Sequence, residues 1–231
     1  MTEPAPQHPK LDELIAVLAT LRAPGGCAWD REQTHESLVQ YLLEETWELV
    51  DAIESGTRDE LIEELGDVLY QVIFHADIAA HDPARSFTIE DVASQMTAKM
   101  IGRHPHVFGD AVADTANDVG TLWDEVKAVE KSSRTSVIDG IPQRMPSLLL
   151  AAKLVGRAER VGIAGPEAGS GQAELSDRTS PTDETELGAR LLELVTVARA
   201  RGLDAERALR MTLRGLEDDI RRAESLSEPR E

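Results

Sequence analysis

The sequence predicts an all-α protein, because apolar residues recur at helical spacing, alternating β-branched runs are scarce and aromatic residues make up only 3% of the chain. The expected fold is a helical bundle followed by a degenerate C-terminal helical repeat. Helices are predicted at residues 11–21, 38–55, 58–80, 89–102, 119–131, 148–160, 185–201 and 205–226.

Capping residues place two of the helix starts. Thr57 with Glu60, and Thr88 with Asp91, each fit the capping box, in which a hydroxyl and an acid three residues later bond each other's backbone amides. Gly56 is expected to end the preceding helix.

Composition limits the classes of partner. The formal net charge of −19 over 231 residues disfavours binding of DNA or RNA as a polymer, although a small anion remains compatible if cations screen it. The single cysteine, Cys27, cannot form an intramolecular disulfide. No apolar run approaches the roughly 20 residues that span a bilayer, and the first ten residues lack a signal-peptide core. We therefore expect a cytoplasmic protein without membrane association.

Acidic residues interrupt the apolar stripe of the predicted helix 38–55. This stripe has a gap of one turn between Leu42 and Leu49, and Glu45 fills it. Glu48 borders the same face, and Glu44 lies within about 100° of both.

The next helix repeats the arrangement. Glu64 lies in register with Leu61 and Val68, and Asp67 lies one turn further at the edge of the stripe. Carboxylates facing a core are costly to desolvate, so four of them together predict a bound cation. Oxygen ligands without His or Cys favour Mg²⁺, with Mn²⁺ as a substitute, over Zn²⁺. The alternative is that these acids lie on solvated helix faces of an acid-rich protein.

These residues resemble the EExxE and ExxD signature of the MazG branch of the all-α nucleoside triphosphate pyrophosphatases. The similarity covers about residues 10 to 160. It is carried by Glu44-Glu45-Thr46-Trp47-Glu48, Glu64-Leu65-Gly66-Asp67, Cys27-Ala28-Trp29-Asp30, Glu32-Gln33-Thr34 and Arg103-His104-Pro105-His106-Val107-Phe108.

The resemblance implies hydrolysis of normal or damaged nucleoside triphosphates to monophosphate and pyrophosphate by a homodimer or larger homo-oligomer, as part of nucleotide-pool house-cleaning. It implies that Glu45, Glu48, Glu64 and Asp67 bind the metal. Lys99 and Arg103 match the family's phosphate-binding cations, and Trp123 and Lys127 match its aromatic and lysine pair near the nucleotide. A narrower dUTP or phosphoribosyl-ATP pyrophosphohydrolase, or a nucleotide-sensing protein without turnover, remains an alternative.

The residue types fit hydrolysis by water. No Ser-His-Asp or Cys-His set is evident, which disfavours a covalent intermediate. Glu44 is a candidate base that orients the water, and Trp29 is a candidate contact for the base of the nucleotide, although packing is its default role. His104 and His106 flank Pro105 and are expected to cap or pack rather than to bind metal.

The C-terminal part is expected to be a decayed second copy. We divide the chain into a catalytic domain at 1–134, a connecting helix at 135–163, a flexible Gly, Ser and Pro-rich linker at 164–183 and the degenerate copy at 184–228. Glu64-Leu65-Gly66-Asp67 recurs as Glu186-Leu187-Gly188-Ala189, which lacks the aspartate; the alternative is a chance match between acidic helices. The apolar residues expected to be retained for packing are Leu191, Leu194, Val195, Leu209, Leu213 and Leu216.

Overall fold

The structure is a computed structural model that describes residues 8–130, 135–163 and 180–227. Within these ranges the backbone forms helices and no β-strand, which confirms the all-α class. The α-helices are α1 (Pro9–Arg22), α2 (Ala28–Glu32), α3 (Val39–Ser55), α4 (Arg58–Ala80), α5 (Ile89–Arg103), α6 (Pro105–Phe108), α7 (Ala116–Glu130), α8 (Ser147–Ala158), α9 (Glu184–Ala200) and α10 (Ala205–Ser227). A 3₁₀ turn, Glu159–Val161, follows α8.

The predicted helices are all present, and the main differences lie at their ends. The helix α7 begins at Ala116 rather than at the predicted residue 119, because Thr115 and Asp118 form a further capping pair. The backbone N–H and the hydroxyl of Thr115 donate to the Asp118 carboxylate over 3.0 and 2.8 Å. The short helices α2 and α6 were not predicted, since five and four residues are too few to show a period.

The chain divides into two compact units, Met1–Ala128 and Val129–Glu231. In the first unit α3 and α4 pack as a helical hairpin, α1 and α5 pack on α4, and α2 packs on α1. Its core contains Leu18, Leu38, Ile73 and Phe74. Leu18 lies on α1, Leu38 directly precedes α3, and the other two lie in the second half of α4. The core is therefore away from the middle of the α3–α4 hairpin, where polar residues lie.

A buried ion pair ties α1 to α4. Arg22 Nε donates to Asp77 Oδ2 over 2.6 Å, and both side chains are largely buried. The guanidinium also lies 5.1 Å from the centroid of the Phe74 ring and donates to the backbone carbonyl of Asp30. Loss of one partner would leave an uncompensated buried charge, which typically costs about 3–5 kcal/mol.

The turn between α3 and α4 forms as predicted. Gly56 ends α3, and a Cβ atom there would lie 2.7 Å from the Cα atom of Ala52, so the close approach requires glycine. Thr57 and Glu60 form the expected capping box, with Thr57 N–H donating to the Glu60 carboxylate over 2.6 Å and Glu60 N–H donating to the Thr57 hydroxyl over 3.3 Å. At the start of α5, Asp91 likewise accepts from the Thr88 N–H over 2.8 Å. At the turn between α3 and α4, the contacts of Gly56, Thr57 and Glu60 set the register in which the two helices of the hairpin face each other.

A histidine pair links the segment before α3 to α4. The rings of His35 and His75 are parallel within 3°, with centroids 5.1 Å apart, and their Nδ1 atoms are 2.8 Å apart. One Nδ1 must therefore donate and the other accept. Burial, followed by the nearby His35 ring, lowers the pKa of His75 below its ordinary value. Sequence patterns did not indicate this pair, because its members lie 40 residues apart.

We predict that His75 makes the fold sensitive to acid. Because its pKa is lowered in the folded state, the unfolded chain binds more protons once the pH falls below the ordinary histidine pKa of about 6.5, and the free energy of unfolding then decreases. Urea denaturation between pH ~7.5 and ~5 should show a steeper loss of stability for the natural chain than for His75→Phe, which keeps an aromatic ring for stacking.

The matched control is His8→Phe, which replaces an exposed histidine outside the pair. It should keep the acid sensitivity of the natural chain. Equal pH slopes for the natural chain and His75→Phe would contradict the prediction.

The second unit contains α8, α9 and α10, each of which packs on the other two. Its described core is small and contains Ile141, Val155 and Val195. At Gly156 a Cβ atom would lie 2.7 Å from the Arg199 guanidinium, which in turn binds Glu159 over 3.0 Å. Gly202 adopts a left-handed φ of +69° and ends α9 ahead of the turn into α10.

One expectation for the second unit is wrong. Of the six apolar residues expected to pack, only Val195 is buried, at 1% exposure. The other five are between 44% and 54% exposed, because three helices with a small core cannot cover every apolar face. These five are Leu191, Leu194, Leu209, Leu213 and Leu216.

The apolar stripes of the first unit are also less buried than their spacing indicated. Ile53, at the end of the α3 stripe, is 64% exposed, and Val72 on α4 is 40% exposed.

In the described part of the chain, no helix is long and apolar enough to cross a membrane. Most of the predicted linker (residues 164–179) and Lys131 lie outside the described residues. The degenerate second copy stays a prediction.

Candidate metal and nucleotide site

The helical hairpin of α3 and α4 brings three acids together. One carboxylate oxygen from each of Glu45, Glu48 and Glu64 lies within 4.8 Å of the others. Glu45 and Glu48 are three residues apart and so lie next to each other on α3, while the hairpin turn places Glu64 of α4 alongside them. Glu45 and Glu64 are half-buried and Glu48 is exposed.

The fourth predicted ligand, Asp67, lies one turn after Glu64 on α4 and is half-buried. It is outside the group of oxygens within 4.8 Å, yet it is close enough for its charge to act on Glu45 and Glu64. Glu44, the candidate base, is exposed on α3 and is also outside the group.

Two of these acids have pKa values above the ordinary value for glutamate. Burial raises the pKa of Glu45, and the charges of Asp67 and Glu48 raise it further. Burial likewise raises the pKa of Glu64, followed by the charges of Glu48 and Asp67. The Oε2 atom of Glu64 is buried without a hydrogen-bond partner among the described residues. An orphaned carboxylate oxygen beside two others provides the hard donors that Mg²⁺ and Mn²⁺ prefer.

An open cleft of about 340 Å³ adjoins two of the three acids, Glu48 and Glu64, at the turn end of the hairpin. Both side chains form part of its wall, so a ligand in the cleft would contact the cluster of acids directly. The other lining residues are Asp51, Ala52, Ser55, Gly56 and Glu60. This acidic lining would repel a free polyphosphate, which could enter only with cations.

A second cluster contains the predicted aromatic and lysine pair. The Lys127 ammonium lies 4.6 Å from the centroid of the Trp123 ring, and the His104 ring meets that indole edge-on at 5.2 Å. His104 Nδ1 lies 2.7 Å from the Met100 carbonyl oxygen, so this histidine has the local capping and packing role expected for it. The buried Trp123 Nε1 and His106 Nδ1 have no hydrogen-bond partner among the described residues.

The other predicted substrate-binding residues lie on helices other than α3 and α4 and are exposed or half-buried. Lys99 is exposed and Arg103 is half-buried on α5, which packs on α4. Within the described residues α7, with Trp123 and Lys127, makes no packing contact with α3 or α4. Trp29 is 49% exposed and meets Tyr41 edge-on with ring centroids 5.6 Å apart. The pair of Trp123 and Lys127 is thus carried by a helix that, within the described residues, does not pack on the hairpin of the three acids.

The helical fold and the cluster of three glutamates define the class of protein: an all-α protein with an acidic site between two antiparallel helices. The model of the MazG nucleotide pyrophosphohydrolase domain matches residues 33–108, which include α3, α4 and α5. The chain belongs to the MazG family, as the extent of its similarity to known members shows.

Three relatives illustrate that similarity. A 26.1 kDa protein from the blaB 3′ region of Streptomyces cacaoi, described as uncharacterized, is 47% identical over 93% of this chain and 83% of its own length. The nucleoside triphosphate pyrophosphohydrolase/pyrophosphatase MazG of Thermotoga maritima is 40% identical over 94% and 86%. The nucleoside triphosphate pyrophosphohydrolase of Escherichia coli K12 is 34% identical over 94% and 88%.

We predict that removing the ionised carboxylate of Glu64, which burial and then the neighbouring acids disfavour, stabilises the metal-free protein. Because the pKa of Glu64 is raised in the folded state, its ionised form opposes folding, and stability is lost as the pH rises through that pKa. Glu64→Gln should therefore raise the thermal midpoint of the metal-free protein at pH ~8, and the difference should shrink toward pH ~4, near the ordinary glutamate pKa of about 4.3.

Glu63→Gln, at an exposed neighbouring position on α4, is the comparison: its charge raises the pKa of Glu64 less than burial, Glu48 and Asp67 do, so its removal should have a smaller effect. A Glu64→Gln variant no more stable than the natural chain at pH ~8 would show that the carboxylates do not oppose folding.

Proposed function

We propose that this protein hydrolyses nucleoside triphosphates between the α and β phosphates, releasing nucleoside monophosphate and pyrophosphate. The observation that carries the proposal is the group of Glu45, Glu48 and Glu64 on the hairpin, within the span that matches the family domain. The names of the Thermotoga maritima and Escherichia coli relatives support the same reaction. The substrates we propose are nucleoside or deoxynucleoside triphosphates, normal or damaged.

We propose Mg²⁺ as the cofactor, with Mn²⁺ as a substitute, and Glu45, Glu48, Glu64 and Asp67 as its ligands. The donor set fits, since three acids share a small volume and the fourth is within electrostatic range. When bound, Mg²⁺ supplies charge neutralisation and polarisation at the phosphate oxygens. The orphaned Oε2 of Glu64 would gain a partner in that complex.

The chain's own cations and bases complete the proposed chemistry. Lys99, Arg103 and Lys127 offset the remaining charge of the triphosphate, which an acidic protein would otherwise repel. Glu44 is exposed beside the proposed ligands and is available to orient the attacking water and accept its proton. Trp123 and Trp29 present aromatic rings for the base of the nucleotide.

The activity has a direct test. Purified protein with Mg²⁺ should convert a nucleoside triphosphate to equal amounts of monophosphate and pyrophosphate, measured by chromatography and a coupled pyrophosphate assay. Glu45→Gln should abolish turnover, because it removes a carboxylate from the centre of the proposed ligand set. Glu63→Gln on the neighbouring helix is the control and should remain active.

The product pattern separates the alternatives. Release of orthophosphate would contradict cleavage between the α and β phosphates. Intact nucleotide after long incubation at saturating Mg²⁺ would favour a nucleotide-sensing protein. A panel of normal and modified triphosphates, with dUTP and phosphoribosyl-ATP included, would show whether the specificity is narrow.

The Lys127 ammonium, which lies over the Trp123 ring, should contribute to substrate binding. Lys127→Met keeps the length of the side chain but removes its charge, and loss of a charge-assisted contact of about 1.5–3 kcal/mol corresponds to a decrease in kcat/KM of about 10- to 100-fold. The variant should unfold at the same temperature as the natural chain. Lys153→Met, at an exposed position on α8, is the matched control. Unchanged kinetics for Lys127→Met would remove this lysine from the site.

We also propose a homodimer as the minimal assembly. Large apolar side chains are exposed on the same two helices that carry the acids, and a partner would cover them. They are Leu43 and Trp47 on α3, and Ile62, Leu65 and Leu69 on α4. Light scattering should give at least twice the mass of one chain, and Leu65→Lys should reduce it. An active monomer would contradict the proposal.

A further inference from the structure

The last helix, α10, has an apolar face that is largely exposed among the residues the structure describes. It runs for 23 residues, yet none of its side chains described from residue 205 to 224 is buried. By comparison, α4 has the same length and five buried residues. Helices in proteins are stabilised mainly by packing of their apolar face. The contacts of α10 with α8 and α9 leave all of these side chains at least partly exposed, so part of its apolar face remains available to a further partner.

The uncovered face of α10 is a regular seam. It consists of Leu209, Leu213, Leu216 and Ile220, whose steps of four, three and four residues place them on one side of the helix. Each is 47% to 54% exposed. This spacing is that of helices that pack lengthwise on another helix, as in a coiled coil. We call these four residues the α10 seam.

The charge along α10 indicates which helix fits. The first half, residues 205–214, contains three arginines and one glutamate, a net charge of +2. The second half, residues 215–227, contains four acids and two arginines, a net charge of −2. Two such helices packed antiparallel bring each basic half beside an acidic half, whereas parallel packing opposes like charges. Such local complementarity is needed because chains of net charge −19 repel each other overall.

We propose that α10 packs antiparallel on α10 of a second copy of this chain through the α10 seam. The two-fold axis then passes between Leu213 and Leu216, so that Leu213 faces the partner's Leu216 and Leu209 faces the partner's Ile220. This contact lies in the second compact unit and is distinct from the α3 and α4 surface. The proposal of this contact does not depend on the proposed hydrolytic activity.

Disulfide trapping in the full-length chain tests both the contact and its direction. Cys27→Ser first removes the native thiol. In that background Leu213→Cys lies near the axis, where its two copies are offset along the helices by only about three residues or ~4.5 Å, so a small movement of the helices brings them within the span of a disulfide. Two copies of Ile220→Cys are offset by about eleven residues or ~16 Å, which is beyond that span. Chains with Leu209→Cys mixed with chains with Ile220→Cys restore a facing pair.

The proposal predicts cross-linked dimer under mild oxidation for Leu213→Cys and for the mixed pair, and none for Ile220→Cys alone. Adding Leu213→Glu to the mixed pair should reduce its cross-linking at least 10-fold. Met211→Glu is the matched control: Met211 lies on the opposite side of α10, is 47% exposed and receives the same change of charge, so cross-linking should persist.

Circular dichroism of every variant checks that the helices are retained. Cross-linking of Ile220→Cys as readily as Leu213→Cys would overturn the antiparallel arrangement. An absence of disulfide in all three experiments would overturn the contact, and would leave another part of the chain or a different protein as the partner of α10.

Discussion

The electrostatic repulsion among carboxylates on α3 and α4 is the constraint that organises the first unit. Glu45, Glu48 and Glu64 share a space of a few ångströms, and burial raises the pKa of two of them. Such a group persists only where other contacts hold the helices in place. The apolar core around Phe74 and the buried pair of Arg22 with Asp77 provide those contacts, since they bind the other end of α4 to α1.

The hairpin turn converts that stability into a site. Gly56 permits a close approach to Ala52 that a side chain would block, and the Thr57 and Glu60 box fixes the first turn of α4. A shift of one residue after this turn would rotate Glu64 by about 100° around α4. Local capping thus decides whether acids that are 16 residues apart in sequence share one ligand volume, because a short turn transmits its geometry directly to both helices.

The lysines proposed to bind the substrate have different surroundings. In the folded chain the Lys127 ammonium lies over the Trp123 ring, and Lys99 is exposed to solvent. A lysine paired with an acid would be neutralised, whereas one over an indole keeps its charge for a phosphate. The exposed apolar surfaces of α3, α4 and α10 are the surfaces through which we propose that the chains assemble.

The sequence by itself determined the helical class, the capped helix starts at Thr57 and Thr88 and the MazG family, because periodicity, capping and short motifs depend on neighbours within a few residues. Only the tertiary structure decided which residues meet. It grouped Glu45, Glu48 and Glu64, set Asp67 slightly apart, paired His35 with His75 and left the leucines of α10 exposed. Spacing reports the side of a helix that a residue occupies, but contact and burial depend on what packs against that side.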